Sequence, residues 1–242
     1  VLVPLVLVYF KNKLRTKFDT CQEVERMVDM PVLGEIGVDK SGSHVVVGAS
    51  DTSSSAELFR LLRTNLLFIL NDTSDKVVLM TSTNSGEGKS FISINLAMSL
   101  SLLGKKVLLV GMDIRKPKLS EYLGVNAKFG VTQYLSSDKI SIGDMVVNDP
   151  RYGDLDIILS GPIPPNPAEL LASKKVDEFF EQLRGMYDYI IVDTAPVGLV
   201  SDTFTLDRVS DATIYVCRAN YTKRSDLSFA NTVYEQHRLH KL

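Results

Sequence analysis

Apolar positions along the chain follow two rhythms. From Lys76 onward, short unbroken runs ("KVVLMTS", "KVLLVGMD", "LDIILSG", "YDYIIVDTA" and "ATIYVCRAN") alternate with stretches of mixed, helix-like periodicity. A strand reading as continuous Val, Ile and Leu has both sides of its pleat buried, as in a parallel sheet covered on both faces. The alternation predicts a doubly wound α/β domain with a mostly parallel sheet and helices on both faces. Ahead of it, "SSAELFRLLRTNLLFIL" has a helical period, with a cap near Ser54 or Ser55 and Leu58, Leu61, Leu62, Leu66 and Ile69 on the buried side. A last helix is expected over about Ser225–Leu239, with no closing strand after it.

The first third of the chain is patterned less regularly. "DTCQEVERMVDMPVLGEIGV" reads as a short helix from about Thr20 to Val28, stopped by Pro31, then a short strand around Val32–Ile36. "DKSGSHVVVGASDTSSS" is polar and Ser-rich and reads as a linker. "VLVPLVLVYF" is apolar from Val1 to Phe10 and is followed by Lys11, Lys13, Arg15 and Lys17, with no acid before Asp19. A spanning helix needs about 20 apolar residues, so this run reads as the clipped end of a transmembrane helix whose basic flank marks the cytoplasmic side. The alternative is a hydrophobic first strand with a solvated basic turn; Pro4 and the abrupt basic flank favour the membrane reading. The expected organisation is a membrane-anchor end and juxtamembrane flank over 1–18, a membrane-proximal segment and linker over 19–55, and the α/β domain over 56–242.

Composition narrows the chemistry. Lys and Arg total 27 against 29 Asp and Glu, so no global basic character points to nucleic acid. Two cysteines, Cys21 and Cys217, are too few for a disulfide framework and read as structural thiols in a reducing compartment. His44, His237 and His240 show no ligand pattern.

"TSTNSGEGKS" (81–90) lies between a strand-like run and a helix opening at Ser90. A phosphate-binding loop needs small residues so that backbone N–H groups converge on phosphate, a lysine that reaches the β and γ phosphates, and a hydroxyl for Mg²⁺. Gly86, Gly88, Lys89 and Ser90 supply these, within a nucleotide-binding stretch Thr83, Asn84, Ser85, Gly86, Glu87, Gly88, Lys89, Ser90, Phe91. Thr83 stands where the usual pattern has its first glycine. "YIIVDTAP" ends an apolar strand in Asp193 and "VLLVGMDIRKP" ends another in Asp113, with Arg115 and Lys116 just beyond. Ligands of open α/β sheets bind at the carboxyl ends of strands, so the two carboxylates and the loop converge on one edge.

The set "TSTNSGEGKS", "VLLVGMDIRKP" and "YIIVDTAPVGLVSD" resembles the modified Walker A, A′ and B motifs of the bacterial tyrosine kinases of capsule and exopolysaccharide export. "AELFRLLRTNL" resembles that family's oligomerisation helix, and "GPIPPNPAELLAS" its Pro-rich signature loop; the likeness runs from about residue 24 to the end. The resemblance implies a P-loop NTPase fold with deviant Walker motifs, and Mg·ATP-dependent autophosphorylation on tyrosine. It implies Lys89 on the phosphates, Ser90, Asp113 and Asp193 around Mg²⁺, and Lys89, Asp113, Asp193 and Arg115 as catalytic residues. It further implies Glu57, Arg60 and Arg63 between subunits of a homo-oligomeric ring in which one subunit phosphorylates the tail of the next. By the same resemblance the chain would be fused to a transmembrane and periplasmic chain-length regulator in a bacterial inner membrane, with its kinase domain cytoplasmic. Its partners would then be a tyrosine phosphatase and the polysaccharide export machinery.

The chain departs from the family pattern at three places. The Walker A′ strand usually ends D-x-D, and the first acid is here Gly111; Ser85 stands where proline is usual; and the family's C-terminal tyrosine cluster is not in the sequence, Tyr221 and Tyr234 being isolated, so that tail reads as cut off with the end of the chain. Two rival functions share the motifs. A ParA/MinD-type ATPase carries a signature lysine where this chain has Asn84, and a nucleotide-binding scaffold would regulate polymer length without transferring phosphate.

Overall fold

The computed structural model describes residues 16–48, 51–70 and 74–242. The apolar 1–10 run and Lys11, Lys13 and Arg15, read above as a membrane anchor and its flank, lie outside them. Among the described residues no helix is long and apolar enough to cross a membrane.

All five apolar runs are strands of one sheet. β1 (Val77–Ser82), β2 (Val107–Gly111), β3 (Val146–Asn148), β4 (Leu155–Ile158), β5 (Tyr189–Asp193) and β6 (Ala212–Val216) lie in the order β3-β4-β2-β5-β1-β6. Every pairing is parallel except β3 with β4. Burial is two-sided, as the continuous apolar runs require. Val78, Met80, Leu109 and Ile191 pack with α2 (Ser54–Ile69), α3 (Lys89–Ser101) and α4 (Leu119–Leu123). Their neighbours Val77, Leu79, Leu108, Val110, Ile190 and Val192 pack on the other face with α5 (Val131–Ser136), α6 (Pro167–Ala172) and α7 (Lys174–Met186). Gly111 and Met80 both lie in register with Asp193, which brings the ends of β1, β2 and β5 level.

Several expectations need correction. β3 was not anticipated: "VVN" is three residues long and only half-buried at the sheet edge, too short to show a period. The first helix, α1 (Cys21–Glu25), is shorter than expected, capped by the Thr20 side chain accepting from Glu23 N–H. Residues 32–36 form no strand; Leu33 offers its carbonyl to the Asn65 amide on α2 instead of to the sheet. The Ser-rich stretch is not a plain linker, because Val46 and Val47 are buried and Val46 N–H donates to Asn95 Oδ1 at 2.7 Å. α2 is capped by Ser53 and buries Ala56, Phe59, Leu62 and Leu66, leaving Leu61 55% exposed. The small Ala56 and the Phe59–Phe91 ring contact at 5.8 Å draw that stripe onto α3, turning Leu61 outward. The α3 helix opens at Lys89, one residue early. The last helix, α9 (Arg224–Glu235), stops short of Leu239, which folds back with Leu242 onto Val197 and Val233.

Candidate functional site

The turn from β1 into α3 is a loop whose Gly86 (φ 87°) and Gly88 (φ 103°) take the left-handed conformation that a side chain disfavours. Gly88 caps α3, so the first N–H groups of a 13-residue helix face the loop with no side-chain cap. Unsatisfied donors at a helix N-terminus favour anions. Lys89, the first residue of α3, is buried; its carbonyl accepts from Ser93 Oγ at 2.9 Å, while its ammonium makes no ion pair or hydrogen bond among the described residues. Ser90 Oγ donates to Asp193 Oδ2 at 2.6 Å, and Ser93 Oγ to Oδ1 at 3.3 Å.

Asp193 is fully enclosed. Burial pushes its carboxyl up to about 6, against the pull of Lys89 and the two serine hydroxyls, and the nearby Asp113 charge adds to the rise. Its backbone carbonyl accepts from Met112 N–H at 2.8 Å and Asp113 N–H at 2.9 Å, which pins the end of β2 against β5. Asp113 is half-buried, its Oδ1 accepting from the backbone N–H of Arg115 (3.3 Å) and Lys116 (2.9 Å). The three oxygen-bearing residues expected around Mg²⁺ therefore stand together. Among the described residues no group of three or more His, Cys, Asp or Glu is placed to hold a metal. Mg²⁺ is held through one or two carboxylates, phosphates and water rather than by an all-protein cage. The hydroxyl at 2.6 Å from a carboxylate, both hard oxygen donors, fits such an ion.

Other expected residues have different tasks. Arg115 makes a two-pronged pair with the buried Asp202 at the start of α8 (Asp202–Leu206), at 2.7 and 2.9 Å, and this bond holds the guanidinium above its usual range. Glu87 is buried and braces the loop, accepting from Asn84 N–H at 2.7 Å and from Thr222 Oγ1. Phe91 packs into the core. Glu57 pairs with Arg60 on the surface of α2, whereas Arg63 reaches across to the Ser99 carbonyl near the end of α3, at 2.6 Å.

Thr83 has partners that glycine could not have. Its hydroxyl shares a 2.7 Å hydrogen bond with Tyr215 on β6, and the loop after β5 presses on it so closely that a Cβ at Gly198 would sit 2.5 Å from the Thr83 carbonyl. Further braces come from beyond β6. Tyr221 OH donates to the Ser85 carbonyl (2.8 Å), Arg218 to that of Gly86 (3.1 Å), and Asn84 Nδ2 donates to Asp226 (2.9 Å). This same segment joins residues 16–18. Lys17 bridges Lys223, Asn220 N–H donates to the Phe18 carbonyl and Arg224 N–H to that of Thr16, both at 2.8 Å.

A family model described as AAA domain matches residues 75–222, from the start of β1 to the loop bracing. The tyrosine-protein kinase YwqD of Bacillus subtilis is 36% identical over 187 residues, covering 77% of this chain and 78% of that protein. The chain belongs to the bacterial tyrosine-protein kinases. The kinase is also 32% identical to a putative tyrosine-protein kinase EpsB of Ralstonia nicotianae, over 90% of this chain but only 30% of that longer protein. In three dimensions it superposes on the kinase domain of the Escherichia coli tyrosine kinase ETK with a TM-score of 0.80 at 26% identity, covering 90% of this chain and 88% of the other.

Reading the sequence alone missed several residues of the kinase site: Ser93, Ser160, Asp202, Tyr215, Thr222 and Asp226. Asp202 lay within a quoted motif and could have been found as the acid complementing Arg115. Tyr215, Thr222 and Asp226 are brought in by contacts over 100 residues along the chain, Ser160 by contacts spanning 47 and 49 residues, and Ser93 by the helical turn of α3; none carries a local signal.

Proposed function

We propose that this chain transfers the γ-phosphoryl group of Mg·ATP to tyrosine hydroxyls, its own tail on a neighbouring subunit being the natural acceptor. The observation that carries this reading is the Ser90–Asp193 contact at 2.6 Å, beside the buried Lys89, whose charge acts on the Asp193 carboxyl, and directly behind a helix N-terminus. Those are the parts a phosphoryl site needs, since catalysis here is mainly positioning and charge neutralisation. The loop N–H groups and Lys89 hold the phosphates. Ser90, Asp193 and Asp113 would hold Mg²⁺, which when bound neutralises charge on the β- and γ-phosphoryl oxygens. Asp113, the half-exposed carboxylate, or a neighbour would accept the tyrosine proton, while Arg115, locked to Asp202, fixes the loop carrying Asp113. Ring assembly through Glu57, Arg60 and Arg63, attachment to a membrane-spanning chain-length regulator, and control of capsular or exopolysaccharide polymerisation complete the proposal.

Incubation of the whole chain with Mg·ATP and detection of phosphotyrosine tests it. Lys89→Met lowers the signal by roughly 10³-fold or more if the phosphate clamp is worth what such groups supply. Nucleotide binding and assembly without any phosphotyrosine would favour the scaffold, the reading that Gly111 supports. Steady ATP hydrolysis with no acceptor would favour a partitioning-type ATPase.

A further inference from the structure

A tyrosine can be modified by a second copy of the chain only where that copy can reach it. Among the described residues Tyr134, Tyr152 and Tyr187 are buried, the other tyrosines are at least partly so, and only Tyr221 is exposed, at 42%. It stands in the loop between β6 and α9, where its hydroxyl donates to the Ser85 carbonyl at 2.8 Å. Its side chain lies on the phosphate loop so closely that a Cβ at Gly86 would stand 3.1 Å from that hydroxyl. Two cations attend the ring, Lys17 Nζ at 5.9 Å and the Arg218 guanidinium at 5.5 Å from its centroid. Neither makes an ion pair with a described residue. Lys17 also stands opposite Lys223 in an antiparallel bridge, a placement in which like charges repel. The acids of this cluster, Glu87 and Asp226, are taken up by Asn84, Thr222 and the Lys223 backbone. The phenol is thus surrounded by positive charge that has no anion of its own.

We propose that Tyr221 is itself an acceptor of the kinase, phosphorylated by a second copy of the chain, and that the phosphate so placed loosens the phosphate loop and weakens nucleotide binding. The inference rests on the kinase reading above and goes beyond it by naming an acceptor inside the folded domain and a brake on the site. Transfer is between copies because the hydroxyl lies on the β6 side of the loop, whereas Asp113 follows β2, with β5 and β1 between. At about 4.8 Å per strand that separation is about 14 Å, too far for one proton transfer. In the site of the other copy the Tyr221 O–H bond breaks and its proton passes to a carboxylate there. The phenolic oxygen bonds to the γ-phosphorus of Mg·ATP, and the bond from that phosphorus to the β–γ bridging oxygen breaks, releasing ADP. The modified residue has no O–H to give Ser85, and its phosphate oxygens are acceptors carrying nearly two negative charges. They cannot face a carbonyl, so the ring turns outward and the phosphate draws Lys17 and Arg218 with it. Gly86 then loses the 3.1 Å bond that Arg218 gives its carbonyl. One transfer removes two braces and sets a dianion beside a loop built to hold anions.

The test incubates the whole wild-type chain with Mg·ATP and a tagged Lys89→Met chain as acceptor, and maps phosphate on both by mass spectrometry. Affinity of the wild type for a fluorescent ATP analogue is measured before incubation, after it, and after treatment with a tyrosine phosphatase. Phosphate is expected on Tyr221 of the tagged chain, with affinity about tenfold lower in the modified enzyme and restored by the phosphatase. Tyr221→Phe starts weaker than the wild type, having lost the Ser85 bond, and stays within twofold of its own start through the same cycle. Should Lys89→Met fail to fold, the map of the wild-type chain decides. Phosphate on other tyrosines with Tyr221 bare overturns the assignment and leaves the kinase reading standing. A modified Tyr221 with unchanged affinity, or a Tyr221→Phe chain that weakens as the wild type does, overturns the brake. A wild-type reaction that leaves no phosphotyrosine on either copy overturns both readings.

Discussion

On the β1–β6 flank of the site, every residue from Ser82 to Glu87 is tied by at least one side-chain or backbone hydrogen bond from Asn84, Tyr215, Arg218, Tyr221, Thr222, Asp226 or the loop after β5. On the β2–β4 flank, Asp113 is held by two backbone N–H groups, and Ser160, which donates to its carbonyl, lines an open cavity. The contrast follows from what each side must do. Charge stabilisation in a phosphoryl transfer depends on donors fixed before the reaction, so the phosphate side is over-determined. A protein acceptor has to enter and leave, so the site needs room that the phosphate side does not supply.

The strongest way to break that comparison is Asp193→Asn, at the point where the flanks meet. Transfer falls by roughly 10²–10⁴-fold, as for loss of a central catalytic carboxylate. Stability moves the other way. The folded carboxyl sits near 6, above its ordinary value of 3.8, so its favourable contribution is complete at acid pH and is lost as pH rises through about 6. At pH 8 the charged form costs up to about 3 kcal/mol, and the Asn variant melts several degrees higher than the wild type. Near pH 4 the two melting points converge. Equal melting points at pH 8 would mean that the enclosed charge carries no such cost.

Gly111→Asp restores the acid that the family pattern expects, and is the next sharpest test. A Cβ there would lie 2.7 Å from Ser160 Oγ and 3.1 Å from Ser160 N. Overpacking of this kind costs about 1–3 kcal/mol, so the variant is less stable and no faster than the wild type, and Gly111→Asp with Ser160→Gly regains part of the loss. Faster transfer at an unchanged melting point would show that the Ser160 wall yields freely. The smallest effect is expected from Thr83→Gly, which makes the loop a consensus match. It strands the Tyr215 hydroxyl and costs about 1–2 kcal/mol, measurable as a lower melting point and a few-fold weaker ATP affinity. A gain in stability would show that the Tyr215 brace is idle.

The same contrast sets how much of the molecule could be read in advance. Runs buried on both faces announced five strands, because a continuous apolar string has few other uses; β3, half-buried at an edge, announced nothing. Gly86, Gly88, Lys89, Ser90, Asp113 and Asp193 were legible because each chemistry is tied to a fixed place on a strand–loop–helix unit. Arg63 was not. Its expected place at a neighbouring subunit came by resemblance alone, and its hydrogen bond to the Ser99 carbonyl of its own α3 carried no signal along the chain. Ser160 illustrates the limit best: its role depends on the missing side chain at Gly111, a fact of three-dimensional fit that no spacing along β4 records.

The bracing of the phosphate loop also dictates an order of assembly. Ribosomal synthesis releases the chain from its N-terminal end, so residues 82–90 emerge well before 215–226, and the contacts joining them are among the longest in sequence, Asn84–Asp226 spanning 142 positions. Closing such distant contacts is slow relative to forming a helix or a turn. The β1–α3 unit is therefore made early and matured late, and a growing chain has no finished nucleotide site until α9 has docked.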